Sequence, residues 1–200
     1  MRVLSSFCLF LFTGTVVFFE KNTGTISAYT SFVNSGSTIA GFSVGNGGKR
    51  QTGRKTFLIG TEYKKQLAKW FSLNGGIEYA DHEIITVTGT DYPPFTVSGP
   101  VAGHVQLLSM PLYLRIDFLK YFFITSGGVF DLELKNTVTN NQSGIGATGG
   151  IGVKYDFKNR LSVFIHPYYQ LHGVILFNNN NNSPERLLTA GIRTGVSYRF

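Results

Sequence analysis

The chain is almost without cysteine. Its single Cys, Cys8, lies inside the first apolar run, so no disulfide framework and no Cys-based zinc motif is available to the rest of the chain. Charge is also scarce: 14% of the 200 residues are charged, against roughly 25% in ordinary soluble domains. Long apolar runs are missing beyond the N-terminal segment, where nothing approaches the ~20 residues a spanning helix needs. A mean hydropathy of +0.06 excludes a bundle of membrane helices in the same way. The net charge of +7 comes from Lys and Arg scattered singly or in pairs. No basic helix or stripe forms, which argues against a nucleic-acid partner. There is no P-loop, dinucleotide fingerprint, Cys/His cluster or G-x-S-x-G elbow, so no cofactor, metal or catalytic constellation is expected.

What the chain does have is glycine and aromatics: Gly 24, Phe 18 and Tyr 10. It opens with Arg2 and an apolar stretch from Val3 to Phe19. A short basic start followed by an apolar run is the pattern of a secretory signal peptide. Residues 1–22 are read as that segment, with cleavage between Gly14 and Asn22, and residues 23–200 as one domain. Ser5-Ser6-Phe7 ahead of Cys8 is no lipobox.

The mature chain alternates with period two. From Leu188, the even positions read Leu188, Ala190, Ile192, Thr194, Val196, Tyr198 and Phe200. The odd positions read Thr189, Gly191, Arg193, Gly195, Ser197 and Arg199. Thirteen residues of strict alternation exceed the 5–6 residues of an average strand and suit a tilted membrane strand of about 9–11. The same code recurs around residues 161–172, 144–157, 121–134, 107–118, 71–79 and 57–64, with a less clear first strand near Gly24–Val33. That predicts eight strands.

Connections alternate too. Tight reversals are expected near Leu67–Lys69, Leu119–Lys120 and Lys158–Arg160, and long polar links at Asn34–Gly53, Thr88–Gly103, Asn136–Ser143 and Asn178–Pro184. Strict alternation of short and long links, with no apolar helix, predicts an all-β, eight-stranded antiparallel up-and-down transmembrane β-barrel. The small-residue phase belongs in a lumen that barely has room for side chains. The apolar phase carries aromatics at two heights, as two lipid interfaces favour. Bacterial outer-membrane placement follows, with both termini periplasmic.

The chain resembles the small bacterial outer-membrane β-barrels, the class of the OmpA and OmpX membrane domains, and in style the PorT-like barrel domains of Bacteroidetes. The resemblance spans Gly24 to Phe200. It is carried by Met110-Pro111-Leu112-Tyr113-Leu114-Arg115, Phe123–Val129, Gly149–Tyr155 and the terminal Tyr198-Arg199-Phe200. It implies outer-membrane lipid and lipopolysaccharide as surroundings. It also implies that Tyr198 and Phe200 act as a C-terminal assembly signal for the barrel-assembly machinery.

The inward phase holds Glu62, Glu78, Arg115, Asp117, Lys154, Arg193 and Arg199. Unpaired charge in a narrow lumen is costly, so an ion pair or network is expected, with Arg193 on Glu78 or Glu62. His166 and His172 are expected in lumen hydrogen bonds. Asp131 and Glu133 are expected as neighbours at a hydrated mouth near the outer rim.

Three functions follow. The first is a non-enzymatic barrel, structural or adhesive, contacting an extracellular ligand through its loops, with Tyr92 and Phe95 as contact residues. The second is a lipid-modifying enzyme of the lipid A deacylase or acyltransferase class, which needs a Ser with a His and a carboxylate. His172 or His104 with Ser98 can be named for it, without supporting spacing. The third is a narrow channel for small solutes, which eight strands leave little room for.

Overall fold

The computed structural model describes residues 24–34, 37–40, 48–89, 99–137, 141–177 and 186–200. The segment 1–22 that the sequence reads as a signal peptide, Tyr92, Phe95, Ser98 and the Asn178–Asn182 run lie outside them. The strands are β1 (Gly24–Asn34), β2 (Ser37–Ala40), β3 (Gly48–Ala68), β4 (Phe71–Gly89), β5 (Val101–Phe118), β6 (Phe122–Asn136), β7 (Gly144–Asp156), β8 (Leu161–Leu176) and β9 (Arg186–Arg199). β2 pairs with the same two neighbours as β1, namely β3 and β9. It is therefore the upper part of the first stave. Eight antiparallel staves form one ring, closed where Thr25 meets Arg199 and Tyr29 meets Gly195. Closure leaves no free sheet edge.

Short turns join β3 to β4, β5 to β6 and β7 to β8. Two of them need a left-handed residue, Leu119 at φ 56° and Arg160 at φ 66°. Such angles are uncommon outside glycine and mark sharp reversals.

The strands outrun the expected boundaries. β3, β4 and β5 have 21, 19 and 18 residues, well beyond the ~9–11 that cross a bilayer. The links expected over Asn34–Gly53 and Thr88–Gly103 are correspondingly shorter. Pairing continues from Gly53↔Ile84 to Gly48↔Gly89 and from Ile84↔Gly103 to Thr86↔Val101. The reason is that backbone pairing does not require an apolar face. The outward side chains here are polar: Arg54 bonds Glu83 at 3.0 Å and His104 bonds Asp81 at 3.0 Å.

Below that polar wall the outward phase is apolar and exposed, with Ile59 51%, Ile165 50%, Ile192 51% and Val196 50% accessible. The inward phase is buried, including Glu78, Arg193, His82, His172 and Asp131. The polarity of an ordinary soluble domain is thus reversed. Aromatic contacts ring the short-turn end: Trp70–Phe71, Phe118–Phe122, Tyr121–Tyr155, Tyr155–Phe157 and Tyr63–Phe200.

Glycine makes the lumen wide enough for rings. The inward aromatics Tyr29, Phe123, Phe164 and Tyr168 stand in register with Gly60, Gly152, Gly195 and Gly191 on the next strand. A Cβ at any of those glycines would strike the ring beside it. The missing side chain on one strand is the space that the ring of its neighbour fills.

Candidate functional site

The lumen is filled in layers. At mid-height Arg193 Nη2 lies 2.9 Å from Glu78 Oε2 and 3.2 Å from Oε1, and 2.8 Å from Gln170 Oε1. Gln170 Nε2 donates to Glu78 Oε1 at 2.8 Å, and Tyr29 Oη donates to Glu78 Oε2 at 3.0 Å. The guanidinium carbon sits 3.9 Å over the Tyr168 ring. Arg193 and Glu78 are 2% and 1% exposed, so each charge depends on the other and on these hydrogen bonds for its solvation.

Only part of the expected set meets here. Glu62 is not on Arg193: it accepts from Tyr113 Oη and, at 3.2 Å, from Asn74 Nδ2. Arg115, Asp117 and Lys154 gather at the short-turn end. Asp117 Oδ1 is 3.0 Å from Arg115 Nη2 and 2.7 Å from Lys154 Nζ. Arg115 also stacks on Phe123 at 3.6 Å. Arg199 is half exposed at the rim, 3.8 Å from Asp156. The inward charges fall into three separate groups. Rings from Tyr29, Phe123, Phe164 and Tyr168 pack between them, which alternation of charge along a strand does not disclose.

A third layer lies toward the long-loop end. Asp131 accepts from Ser109 Oγ at 2.6 Å and lies 2.9 Å from His172 Nδ1. His172 Nε2 is 3.4 Å from Thr189 Oγ1, and His82 meets Thr56 at 3.2 Å. Asp131 is fully buried. This overturns the expected hydrated mouth, because Ile84, Val105, Leu107 and Leu187 close an apolar layer near it. Glu133 does not join it; its carboxylate takes Asn136 Nδ2 and the Gln142 backbone N–H. His166 bonds Thr125 at 3.0 Å, lower in the barrel.

Thr189, His172 and Asp131 have the order of a nucleophile–base–carboxylate set. All three are sealed in the lumen at 0–2% exposure, where no substrate reaches them. His104, by contrast, faces outward from β5 beside Asp81, whereas His172 bonds Asp131 in the lumen. Among the described residues no group of three or more His, Cys, Asp or Glu is arranged to hold a metal.

Sequence reasoning passed over Tyr29, Tyr113 and Gln170, which complete the buried charge pairs. A search confined to charged residues could not find them. The signal was their phase: Tyr113 and Gln170 alternate with outward apolar residues, and Tyr29 follows Thr25 and Ser27 at every second position.

No protein-family model and no curated protein sequence matches the chain. Among solved structures it is similar to the outer membrane protein OprG from Pseudomonas aeruginosa, at 12% identity over 90% of this chain and 97% of that one, with a TM-score of 0.48. It is similar to the outer membrane protein AlkL in DMPC bilayers, at 12% identity over 90% of each chain, TM-score 0.44. The Yersinia pestis outer membrane protein Ail follows at 11% identity, over 90% of this chain and all of that one, TM-score 0.38. These likenesses are distant. Fold and function are read from the strand pairing and burial of the chain itself.

Proposed function

We propose that the chain is a bacterial outer-membrane β-barrel of the OmpA/OmpX or PorT-like kind, non-enzymatic and non-conducting, that acts through its outer loops. One observation carries this reading: the outward phase is apolar and exposed while the inward phase is polar and buried. A closed antiparallel ring with that polarity satisfies its backbone internally and solvates its outer face only in lipid. The aromatic contacts at the short-turn end fit one lipid interface, and the polar wall of Arg54, Glu83, Asp81 and His104 fits a level at or above the other. Lipopolysaccharide is then the immediate neighbour of that wall. The short turns and both termini fall on the periplasmic side, and Tyr198 and Phe200 serve the assembly machinery. The filled lumen, tied at mid-height by Arg193 and Glu78, supports a structural or ligand-contacting role over a channel. The Tyr92–Phe95 loop remains the proposed contact surface.

The test is mobility of the membrane-extracted protein on a gel, boiled against unboiled, with fractionation of the cell envelope. A compact species in the outer-membrane fraction that shifts on heating supports the reading. Unchanged mobility in a soluble fraction overturns it.

A further inference from the structure

The outer wall is not evenly filled. Strand register sets one row of outward side chains that runs from Tyr155 on β7 through Val163 and Val196 to Ala28. The row above it runs from Ile165 through Thr194 to Thr30. Side chains shrink along both rows, and the wall dips where they do. The result is a groove of about 690 Å³, open to the outside, over Val163, Ile165, Thr194 and Val196. Tyr121 and Tyr155 form one bank, their rings stacked at 6.3 Å and 5°.

The foot of the groove is cationic. Val163 stands three residues from Arg160, about 10 Å along an extended strand. Lys158 and Arg160 are exposed on the β7–β8 turn. The Arg160 carbonyl accepts the Arg199 N–H at 3.0 Å, which ties the end of β9 to that turn. Lys120 lies 5.3 Å over the Tyr121 ring, beside the tyrosine bank. The carboxylates near this end are engaged. Asp117 pairs with Arg115 and Lys154, and Asp156 lies 4.0 Å from Lys154 and 3.8 Å from Arg199. Lys120, Lys158 and Arg160 are in none of these pairs.

We infer that the groove seats an anionic phospholipid of the leaflet at the short-turn end, with an acyl chain on Val163 and Val196 and the headgroup phosphate at Lys158 and Arg160. The inference rests on the outer-membrane reading above and adds a lipid class and a place to it. An apolar slot that leads to cations outside any ion pair fits a molecule with an apolar chain and an anionic head. A zwitterionic lipid brings a cation of its own to the same spot. A second copy of the barrel docked here about a twofold axis would bring Lys158 and Arg160 of both copies together, which like charge opposes.

Trp70 is the only tryptophan, so a Trp70→Phe background accepts single reporters. Tyr155→Trp stands on the bank of the groove, and Ile77→Trp stands on β4, across the ring. The full chain is folded into vesicles that mix phosphatidylcholine with phosphatidylglycerol, one or the other carrying brominated chains that quench tryptophan. The Tyr155→Trp reporter should show phosphatidylglycerol favoured by about fivefold, the size expected of one basic side chain at an anionic surface. Lys158→Gln combined with Arg160→Asn should abolish that preference and leave whatever preference the Ile77→Trp reporter shows unchanged. Asparagine tolerates the left-handed φ of 66° at position 160. Heat-dependent gel mobility checks folding, and if the double variant fails that check, Lys158→Gln alone should still lower the preference. No preference at the groove, or an equal loss at both reporters, overturns the inference and leaves the barrel in place. Quenching of the Ile77→Trp reporter alone means that a second copy covers the groove, and overturns it too. A chain that does not insert into the vesicles contradicts the outer-membrane reading itself, and the inference with it.

Discussion

Arg193 and Glu78 are enclosed at 2% and 1% exposure, with Gln170, Tyr29 and Tyr168 around them. Removing one member strands the other. Arg193→Met should therefore cost about 3–5 kcal/mol of stability, read as the urea midpoint of the barrel in micelles. Arg193→Met combined with Glu78→Gln should recover much of that loss, because no buried charge is then left alone. Equal loss in the single and double variants would contradict a coupled pair. A second residue-scale test concerns the glycines. Gly152→Ala drives a methyl into the Phe123 ring and should destabilise by about 1–3 kcal/mol. Phe123→Leu in the same chain should relieve part of it, whereas independent effects would argue against ring-on-glycine packing.

At the scale of elements, the strands were legible wherever one phase is apolar. β5 to β9 alternate so strictly that their inward and outward residues follow from the sequence by period alone. β1 was not legible in this way, because its outward residues include Ala28 and Thr30 as well as Ile26, and its inward ones are small or hydroxylic. Strand ends were missed on β3, β4 and β5 for a related reason: pairing runs on where the outward side chains turn polar. The division of the lumen charges was also hidden. Which carboxylate meets Arg193 depends on the shear of the ring and on rings crossing between strands, and neither leaves a mark in a single strand's pattern. The boundary between apolar band and polar wall gives a prediction. Ile192→Arg or Ile165→Arg should lower stability by about 2–4 kcal/mol in bilayers, and Glu83→Arg by about 1 kcal/mol or less. Equal costs at both levels would mean that the band is not the lipid-facing part.

The whole molecule is a ring whose outside would be insoluble and whose inside is a polar solid. The wall determines where it resides. A filled lumen predicts that planar-bilayer recordings of the wild-type barrel show negligible conductance. The most direct test of the account is site-directed spin labelling in lipid bilayers. Cys8 is the only cysteine, so a Cys8→Ser background accepts single labels at successive positions of β9. Labels at Ile192, Thr194 and Val196 should be accessible to oxygen and shielded from a water-soluble nickel reagent. A label at the intervening Gly195 should be shielded from both if the barrel still folds. Equal access of the nickel reagent to Ile192, Thr194 and Val196 would contradict the membrane-facing wall on which the account rests.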